Sequence, residues 1–436
     1  MLKRLLSVAA VLCVLCVCIL SIAEDADSFH PMDIITGETR LPVELTLSSP
    51  RMIVLSQYDE NRLDQLNRLL KHLSLGLTME ERDASLLVMV DGMEAWSTVN
   101  GYADADDDTV RFLGQVFEPF NLYLNAFYPV ITGLREAYPE KSKSMEANLN
   151  LSGYGRAVRK ILITIPAEEA ETAFRETLLS LCENTEARAF LSKLVFSGQQ
   201  KISFMLDQDD REIRINYDGK AGLSQEDLRS VSLVWKCLRN GNHRKDGLSL
   251  KTPAQNESDR FNVTLERDLN PDDPQGPAWQ WTIETDDKSG PDRSLSKFSM
   301  EWKQEDTGLN GTMVHNLNKN GAKTSLSASA TLSPSDDGSY TGGVEITHKK
   351  GKIEKEHFSV EVSVSPSGKE IRAEEKTTAE SLSAENRKQP DGNVNRELLR
   401  ALLRIPDEDL LFLFSGLPEE EWQKIVQEAT VSAVDE

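Results

Sequence analysis

From about residue 200 onward, apolar and polar residues alternate with a period of two, and this pattern constrains the fold more than any other feature of the sequence. Phe298, Met300 and Trp302 alternate with charged or hydroxyl residues. The stretch from Phe358 to Val364 repeats the pattern. Chance would supply roughly two or three perfectly alternating seven-residue windows here, whereas about nine occur. Because every second side chain of a β-strand lies on the same face, the pattern predicts roughly nine or ten successive strands in an antiparallel meander.

Turn-forming residues stand between these alternating stretches. The segments are 209–210, 217–219, 318–321 and 336–338, and they consist mainly of Asp, Asn and Gly. These residue types favour the tight turns that close β-hairpins. Their positions support a meander of sequential hairpins.

A sheet built from such strands has one apolar face and one solvated face. The apolar face is predicted to include Trp279, Trp281, Phe298, Met300 and Trp302. So large an apolar area does not stay bare in water. It can be covered by helices from elsewhere in the chain, by curling of the sheet into a barrel, or by an apolar ligand.

The first half of the chain mixes both periodicities. Asp59 can cap a helix that Gly76 can end, and the aromatic-rich segment 109–138 is expected to be helical. Pro119 and Pro129 are expected to limit the length of that second helix. The first half of the chain is therefore expected to contribute helices in addition to strands.

Together these patterns predict an α+β fold. A mixed α/β N-terminal half is followed by a large antiparallel β-meander, forming a curled sheet or open barrel, and by a short C-terminal helical pair. The expected divisions are a signal peptide (1–23), a mixed α+β region (24–198), an antiparallel β-sheet region (199–376), a polar linker (377–395) and C-terminal helices (396–436).

The N-terminus has the layout of a secretory signal peptide. Lys3 and Arg4 precede an apolar stretch from Leu5 to Ile22, and Ser21 and Ala23 supply the small residues at positions −3 and −1 of a cleavage site. We expect cleavage after Ala23 and an extracellular or cell-envelope location. The alternative is an uncleaved N-terminal anchor, because the apolar stretch is near the lower length limit for spanning a bilayer. No later stretch is long and apolar enough to span a membrane.

Cys182 and Cys237 are the two cysteines that follow the leader. In an oxidising compartment they could form one disulfide, which would tie a predicted helix to a predicted strand. The alternative is a pair of buried, unpaired thiols. The sequence leaves both open.

The net charge of −22 restricts the class of partner. An acidic surface repels phosphate backbones, so we expect no nucleic acid partner. The partner is otherwise unidentified, and an apolar small molecule or a component of the cell envelope fits the remaining features.

No catalytic motif stands out, and we expect neither enzyme activity nor a cofactor. The best candidate for metal binding is Asp104, Asp106 and Asp108, which match the first three ligand positions of a calcium loop. Thr109 stands where the loop needs Gly, however, and Gln115 where it needs a bidentate Glu. A solvated acidic loop, or a helix N-terminus, explains the segment better.

Three hypotheses about function follow. The leading one is a secreted or envelope protein with a non-catalytic role in binding or structure. The second is a carrier or chaperone for an apolar, lipid-like ligand held against the tryptophan-bearing face. A curled sheet open at one side is similar in architecture to bacterial lipoprotein carriers, although no motif is shared. The third is a hydrolase whose residues meet only in three dimensions.

Overall fold

The computed structural model describes most of the chain between residues 43 and 366 and one short C-terminal segment. The described residues are 43–80, 83–100, 118–226, 228–252, 261–270, 279–287, 293–305, 308–335, 339–366, 404–406 and 408–409. The predicted signal peptide, the segment with Asp104, Asp106 and Asp108, and the predicted linker all lie outside them. So does most of the predicted C-terminal helical region 396–436, of which only 404–406 and 408–409 are described.

Seventeen strands form the bulk of the described structure. They are β1 (Val43–Leu55), β2 (Leu73–Glu80), β3 (Asp83–Val90), β4 (Met93–Asn100), β5 (Ser142–Leu151), β6 (Gly155–Ile165), β7 (Val195–Leu206), β8 (Glu212–Gly222), β9 (Arg229–Asn240), β10 (His243–Thr252), β11 (Phe261–Leu269), β12 (Trp279–Asp287), β13 (Ser294–Glu305), β14 (Gly308–Lys319), β15 (Ala322–Pro334), β16 (Tyr340–Lys350) and β17 (Ile353–Pro366).

A few helices accompany the strands. The α-helices are α1 (Glu60–Leu70), α2 (Glu118–Ala137), α3 (Arg175–Leu181) and α4 (Thr185–Lys193). A 3-10 turn occupies Pro139–Lys141, and a short α-helical turn (Ala167–Glu169) and a π-helical turn (Ala170–Phe174) lead into α3.

All 17 strands belong to one hydrogen-bonded sheet, which confirms the predicted antiparallel architecture beside a mixed N-terminal half. Sequential strands pair as neighbours, and β1 lies between β2 and β17. Strand β4 pairs with β3, and β5 pairs with β6. The sheet is not closed.

The chain divides into two compact units. Unit 1 comprises Met1–Gly114, Gln304–Thr312 and Ser325–Glu436, and unit 2 comprises Gln115–Lys303 and Met313–Thr324. The strands of the first half join the same sheet as those after residue 200. The change to a period of two near residue 200 therefore does not mark a change of sheet.

In unit 1, α1 docks on β1, and one asparagine of the helix hydrogen-bonds the strand backbone. The Asn67 side chain accepts a hydrogen bond from Met52 N at 2.7 Å and donates one to Met52 O at 2.8 Å. Met52 lies between two register shifts of the β1–β17 ladder. The helix thus supplies backbone partners where the strand departs from regular pairing. Asp59 caps α1 as predicted, because its carboxylate accepts from Arg62 N.

The prediction that Gly76 ends this helix is wrong. The helix ends at Leu70, and Gly76 lies inside β2, opposite Thr46 of β1 and Leu87 of β3. Pairing on both sides outweighs the weak strand propensity of glycine.

In unit 2, α2 runs through Pro129 without ending there, contrary to the prediction. A proline inside a helix removes one backbone hydrogen bond. Here the helix buries Leu124, Val130 and Leu134, each at most 3% exposed. Burial of that apolar side stabilises the helix despite the missing bond.

Two strand assignments also differ from the sequence interpretation. The polar strand β5 was not predicted, because nearly all its residues are exposed and it therefore lacks an alternating pattern. Tyr217-Asp218-Gly219, predicted as a turn, lies within β8 and pairs with β9. The predicted turns at 209–210 and 318–321 do connect strands, and Asp210, Asn320 and Gly321 have the positive φ that tight turns require.

Candidate functional site

The register of β9 to β13 builds a continuous row of side chains on one face of the unit 2 sheet. Successive strands place Cys237, Asp246, Arg267, Trp281 and Met300 opposite one another. All five residues are at most 7% exposed. We call this side of β9–β13 the buried face. The predicted tryptophan-bearing surface is the part of the buried face that lies on β12 and β13.

Asp246 is a fully buried carboxylate held by four hydrogen bonds from three residues. Its Oδ2 accepts from Arg267 Nε at 3.0 Å and from a terminal guanidinium nitrogen of the same residue at 2.6 Å. Its Oδ1 accepts from Arg239 at 2.6 Å and from Trp235 Nε1 at 3.2 Å. Buried carboxylates are tolerated when charge and hydrogen bonding are both satisfied, as they are here.

Helix α2 covers this arrangement from above the sheet. The ring of Tyr128 packs edge-on against Trp235 at 5.2 Å between centroids, and the guanidinium of Arg239 lies 4.8 Å from the same ring centroid. Asn125 Oδ1 accepts from Arg267 at 2.7 Å. We call Asp246, Arg239, Arg267, Trp235 and Tyr128 the Asp246 cluster.

Burial and charge act in opposite directions on the Asp246 carboxyl. Burial alone would raise the pKa of Asp246, but the guanidinium groups of Arg267 and Arg239 outweigh it and lower the pKa below its ordinary value. Burial likewise acts to lower the pKa of Arg239, and Asp246 outweighs it, so that pKa is raised. Both groups are therefore charged throughout the neutral range.

Two further titratable groups near Asp246, the Tyr128 hydroxyl and the Cys237 thiol, are held neutral. Burial raises the pKa of the Tyr128 hydroxyl above its ordinary value. Burial also raises the pKa of the Cys237 thiol to about 12. Neither group is suited to act as a nucleophile or base near neutral pH.

The Asp246 cluster has the properties of a structural lock. Both carboxylate oxygens are occupied, and the buried carboxylate is paired with two guanidinium groups. Chemistry on a substrate would need a free acceptor or donor in contact with solvent. The geometry therefore fits a role in fastening α2 to the buried face.

Three residues of the predicted apolar surface are described, and all are inaccessible. Trp281 and Phe298 have no exposed surface, and Met300 is 1% exposed. Trp279 and Trp302 lie opposite each other in the β12–β13 ladder, but their side chains lie outside the described part of the structure. Arg267 lies over the ring of Trp281 at 5.6 Å, so the apolar surface and the Asp246 cluster are continuous.

The two cysteines after the leader are free, buried thiols. Cys237 Sγ donates to Glu212 O at 3.0 Å, and Cys182 Sγ to Asn184 O at 3.5 Å. Each thiol has its own backbone partner. The structure thus contains the unpaired alternative of the two that the sequence left open.

A serine and a histidine approach each other in unit 2. His315 Nε2 lies 2.8 Å from Ser296 Oγ, which is within hydrogen-bonding distance. The two residues are only 4% and 8% exposed, and Phe298 packs edge-on against the imidazole. A nucleophile needs access to its substrate, so this pair fits a core hydrogen bond better than a catalytic pair.

No metal centre emerges from the described residues. Across those ranges, no three His, Cys, Asp or Glu side chains converge in a way that could hold a metal ion. Asp104, Asp106 and Asp108 lie outside them, so the calcium-loop candidate stays a prediction.

Sequence reasoning missed the Asp246 cluster, although the sequence carries a signal for it. Val263 and Leu265 alternate towards the buried face, and Arg267 is next in that series. Arg239 follows Trp235 and Cys237 on β9 in the same way. A charged residue at the next apolar-face position of β9 and of β11, the two strands that flank β10, indicates a buried ion pair, but the acidic partner depends on the register.

None of the helices in the described part of the chain combines the length and the apolar character that crossing a bilayer requires.

Comparison with known proteins identifies no family. No family model matches the sequence, and no curated protein matches it. The outer membrane protein OpdK from Pseudomonas aeruginosa gives a TM-score of 0.23 at 6% identity, over 75% of this chain and 98% of that chain. The CymD monoaromatic hydrocarbon channel gives 0.19 at 10% identity, over 81% and 93%. OmpT, an outer membrane protein of Vibrio cholerae, gives 0.16 at 8% identity, over 74% and 96%. TM-scores this low carry no argument about fold or function.

Proposed function

We propose that the protein is exported and serves in the cell envelope or outside the cell as a non-catalytic β-sheet scaffold, with a role in binding or structure. The signal-peptide layout of residues 1–23 supports export. The structure supports a scaffold role through one observation, which is the filling of the buried face by the protein's own side chains.

The argument from the buried face is physical. An apolar carrier needs a cavity that a ligand can enter, commonly of several hundred Å³. Trp281, Phe298 and Met300 instead have almost no accessible surface, and α2 closes over the Asp246 cluster. A ligand there would have to displace packed side chains. The solvated face of the sheet is the surface left for partners.

Export is tested by expressing the full chain in a bacterial host and measuring the intact mass of the secreted or periplasmic product. We expect a mature chain that begins at Glu24. Ala23→Phe should block processing, because the position before the cut requires a small residue, and Ala26→Phe is the matched control that should not. A full-length chain retained in the cytosol would contradict export, whereas a full-length chain in the membrane would indicate an uncleaved anchor.

The carrier hypothesis is tested on the exported protein by native mass spectrometry and by titration with a fluorescent polyene fatty acid. We expect the mass of the bare chain and no saturable binding of the probe. Stoichiometric binding that Trp302→Ala abolishes, with the free energy of unfolding unchanged, would favour the carrier over the scaffold.

The hydrolase hypothesis is tested with a fluorophosphonate that labels activated serines. We expect no labelling of the native protein, because Ser296 is buried. Labelling that disappears in Ser296→Ala but persists in Ser203→Ala would support a hydrolase instead.

A further inference from the structure

A short C-terminal segment of unit 1 is docked against the end of α1 and the β3–β4 turn, far along the chain from these elements. We call residues 404–406 and 408–409 the docked segment. Ile405 is 2% exposed and Asp409 is 5% exposed. Asp409 N donates to Pro406 O at 2.9 Å, and the Arg404 guanidinium donates to Met93 Sδ at 3.6 Å. The segment therefore has a local fold and a specific position.

The polar contact of the docked segment is centred on His72. The His72 Nε2 atom lies 2.9 Å from Asp409 Oδ2, and its Nδ1 atom lies 2.7 Å from Asp91 Oδ1. Lys71 Nζ lies 2.8 Å from the same Asp409 oxygen. Asp91 N donates to His72 O at 2.9 Å, which fixes the β3–β4 turn beside the imidazole.

This geometry implies a proton count for the imidazole. An ionised carboxylate only accepts hydrogen bonds, and both ring nitrogens of His72 face one. A neutral imidazole has a single N–H donor, whereas an imidazolium has two. Both contacts can form together only while His72 carries its second proton.

We propose that the docked segment is a proton-dependent latch within unit 1, closed while His72 is an imidazolium and released when His72 loses its proton. This inference is independent of the proposed scaffold function. It gives the chain a way to change the placement of its C-terminal segment in response to the pH around it.

The charged groups that face His72 are Lys71 at the end of α1, Asp91 in the β3–β4 turn and Asp409 in the docked segment. Partial burial acts to lower the pKa of His72, but hydrogen bonds to Asp409 and Asp91 outweigh it, and the pKa is raised above 6.5. Hydrogen bonds from His72 and Lys71 in turn lower the pKa of Asp409. These two shifts have the directions expected for an ion pair that stabilises the docked state.

The pH range of the latch follows from these directions. A raised histidine pKa contributes docking free energy that is fully present below the ordinary value of 6.5 and is lost as pH rises through the raised value. The Asp409 contribution is present above its ordinary value of 3.8 and is lost as pH falls through the lowered value. The latch is therefore closed in mildly acidic solution and opens on the alkaline side.

Thermodynamic linkage makes the effect quantitative. The docking constant changes by about a factor of ten for each pKa unit by which docking raises the pKa of His72. Protonation of His72 strengthens docking by the same factor by which docking strengthens proton binding to His72. The pKa of His72, measured by NMR in the wild type and in Asp409→Asn, thus predicts how strongly docking depends on pH.

The direct experiment is hydrogen exchange of the full chain between pH 5 and pH 9, with each rate divided by the intrinsic rate at that pH. For the peptide that contains Ile405 and Asp409, we expect protection to fall as pH rises. The fall should be about tenfold for each unit by which the His72 pKa of the wild type exceeds that of Asp409→Asn. His72→Gln should show low protection independent of pH. His72→Arg, which keeps the charge and two donors, should retain protection up to pH 9.

His243 provides the matched control, since it shares Asp268 with Lys245 as His72 shares Asp409 with Lys71. His243→Gln should leave exchange of the docked segment unchanged. The proposal is overturned if wild-type protection is constant over this range, or if His72→Gln titrates like the wild type. If His72→Gln fails to fold, the wild-type profile and the NMR comparison with Asp409→Asn decide: equal His72 pKa values in the two proteins would also overturn it.

Discussion

Asp246 is the residue on which the charge balance of the buried face depends. Its carboxylate pairs with two guanidinium groups, and the side chain of one of them, Arg267, is only 8% exposed. Removal of a buried partner leaves the other charge uncompensated, and this costs more than the pair itself contributes. The effect of a substitution at this position is therefore a direct measure of how closed the buried face is.

Asp246→Asn should lower the free energy of unfolding by roughly 3–5 kcal/mol, because it leaves Arg267 charged and buried. Asp268→Asn is the control, since Asp268 also has two partners but is 28% exposed, and it should cost less than about 1 kcal/mol. Urea denaturation of the three proteins measures both values. Equal costs for the two variants would mean that water reaches Asp246.

The Asp246 carboxylate should also make the free energy of unfolding depend on pH in acid. The lowered pKa of Asp246 contributes stability that is present above the ordinary value of 3.8 and is lost as pH falls through the lowered value. The difference in unfolding free energy between wild type and Asp246→Asn should therefore be constant from neutral pH to about pH 4 and should shrink below it. A series of urea titrations at decreasing pH tests this, and a difference that grows in acid would contradict the sign.

Gly247 is required by a neighbouring ring. A Cβ at this position would lie 2.5 Å from the Tyr154 hydroxyl oxygen, and Tyr154 is 4% exposed. Gly247→Ala should destabilise the protein by about 1–3 kcal/mol, the usual cost of overpacking. Gly343→Ala, in another strand, meets no atom within 4 Å and should be neutral or slightly stabilising. Thermal unfolding of both variants measures the contrast, which would vanish if Tyr154 can move aside.

At the scale of elements, the contact between α1 and β1 includes one polar anchor. Asn67 satisfies both backbone groups of Met52, where the ladder with β17 is irregular. A side chain that replaces a strand partner in this way fixes both the depth and the rotation of the helix.

Asn67→Ala should cost about 1–3 kcal/mol, because it leaves two partly buried backbone groups without partners. Asn61→Ala is the control on the exposed side of the same helix, where the effect should stay within about 0.5 kcal/mol. Denaturant unfolding gives the stabilities, and hydrogen exchange of Met52 N should increase in the first variant alone. Unchanged exchange at Met52 would show that water can replace the asparagine.

Whether a strand could be predicted from the sequence depends on how its two faces are buried. Strands with one buried face, such as β13 and β17, alternate clearly and were predicted. Strand β5 was not, because it is exposed on both faces and has no pattern to detect. Gly76 and Pro129 misled the prediction for the opposite reason: local propensity was outweighed by pairing in β2 and by packing of α2.

At the scale of the whole molecule, charge is the dominant property. The chain carries a net charge of −22. Removal of the predicted leader would also remove the positive charges of Lys3 and Arg4 and make the chain more negative. Like charges on one surface repel each other and destabilise the compact state, and salt screens that repulsion.

The melting temperature should therefore rise as NaCl is increased from about 10 mM to about 500 mM, over which the screening length falls from about 30 Å to a few Å. Sucrose at matched osmolality is the control, because it screens no charge. Calorimetry measures both series. A melting temperature that falls with salt would show that attractive surface pairs outweigh the net repulsion.

The sequence by itself determined the class of the fold. Alternation with a period of two depends only on the order of residues along the chain, and it forces one apolar face whatever the partners are. The expectation that Phe298, Met300 and the residues around Val360 lie on a buried side is confirmed. The predicted leader rests on the same kind of local information.

Only the tertiary structure decided which residues meet. Asp246 lies opposite Arg267 because of the β10–β11 register, and His72 meets Asp409 across 337 positions of the chain. No local pattern encodes such pairs, since their free energy depends on burial and on the distance between charges, and both exist only after the strands and segments are in place.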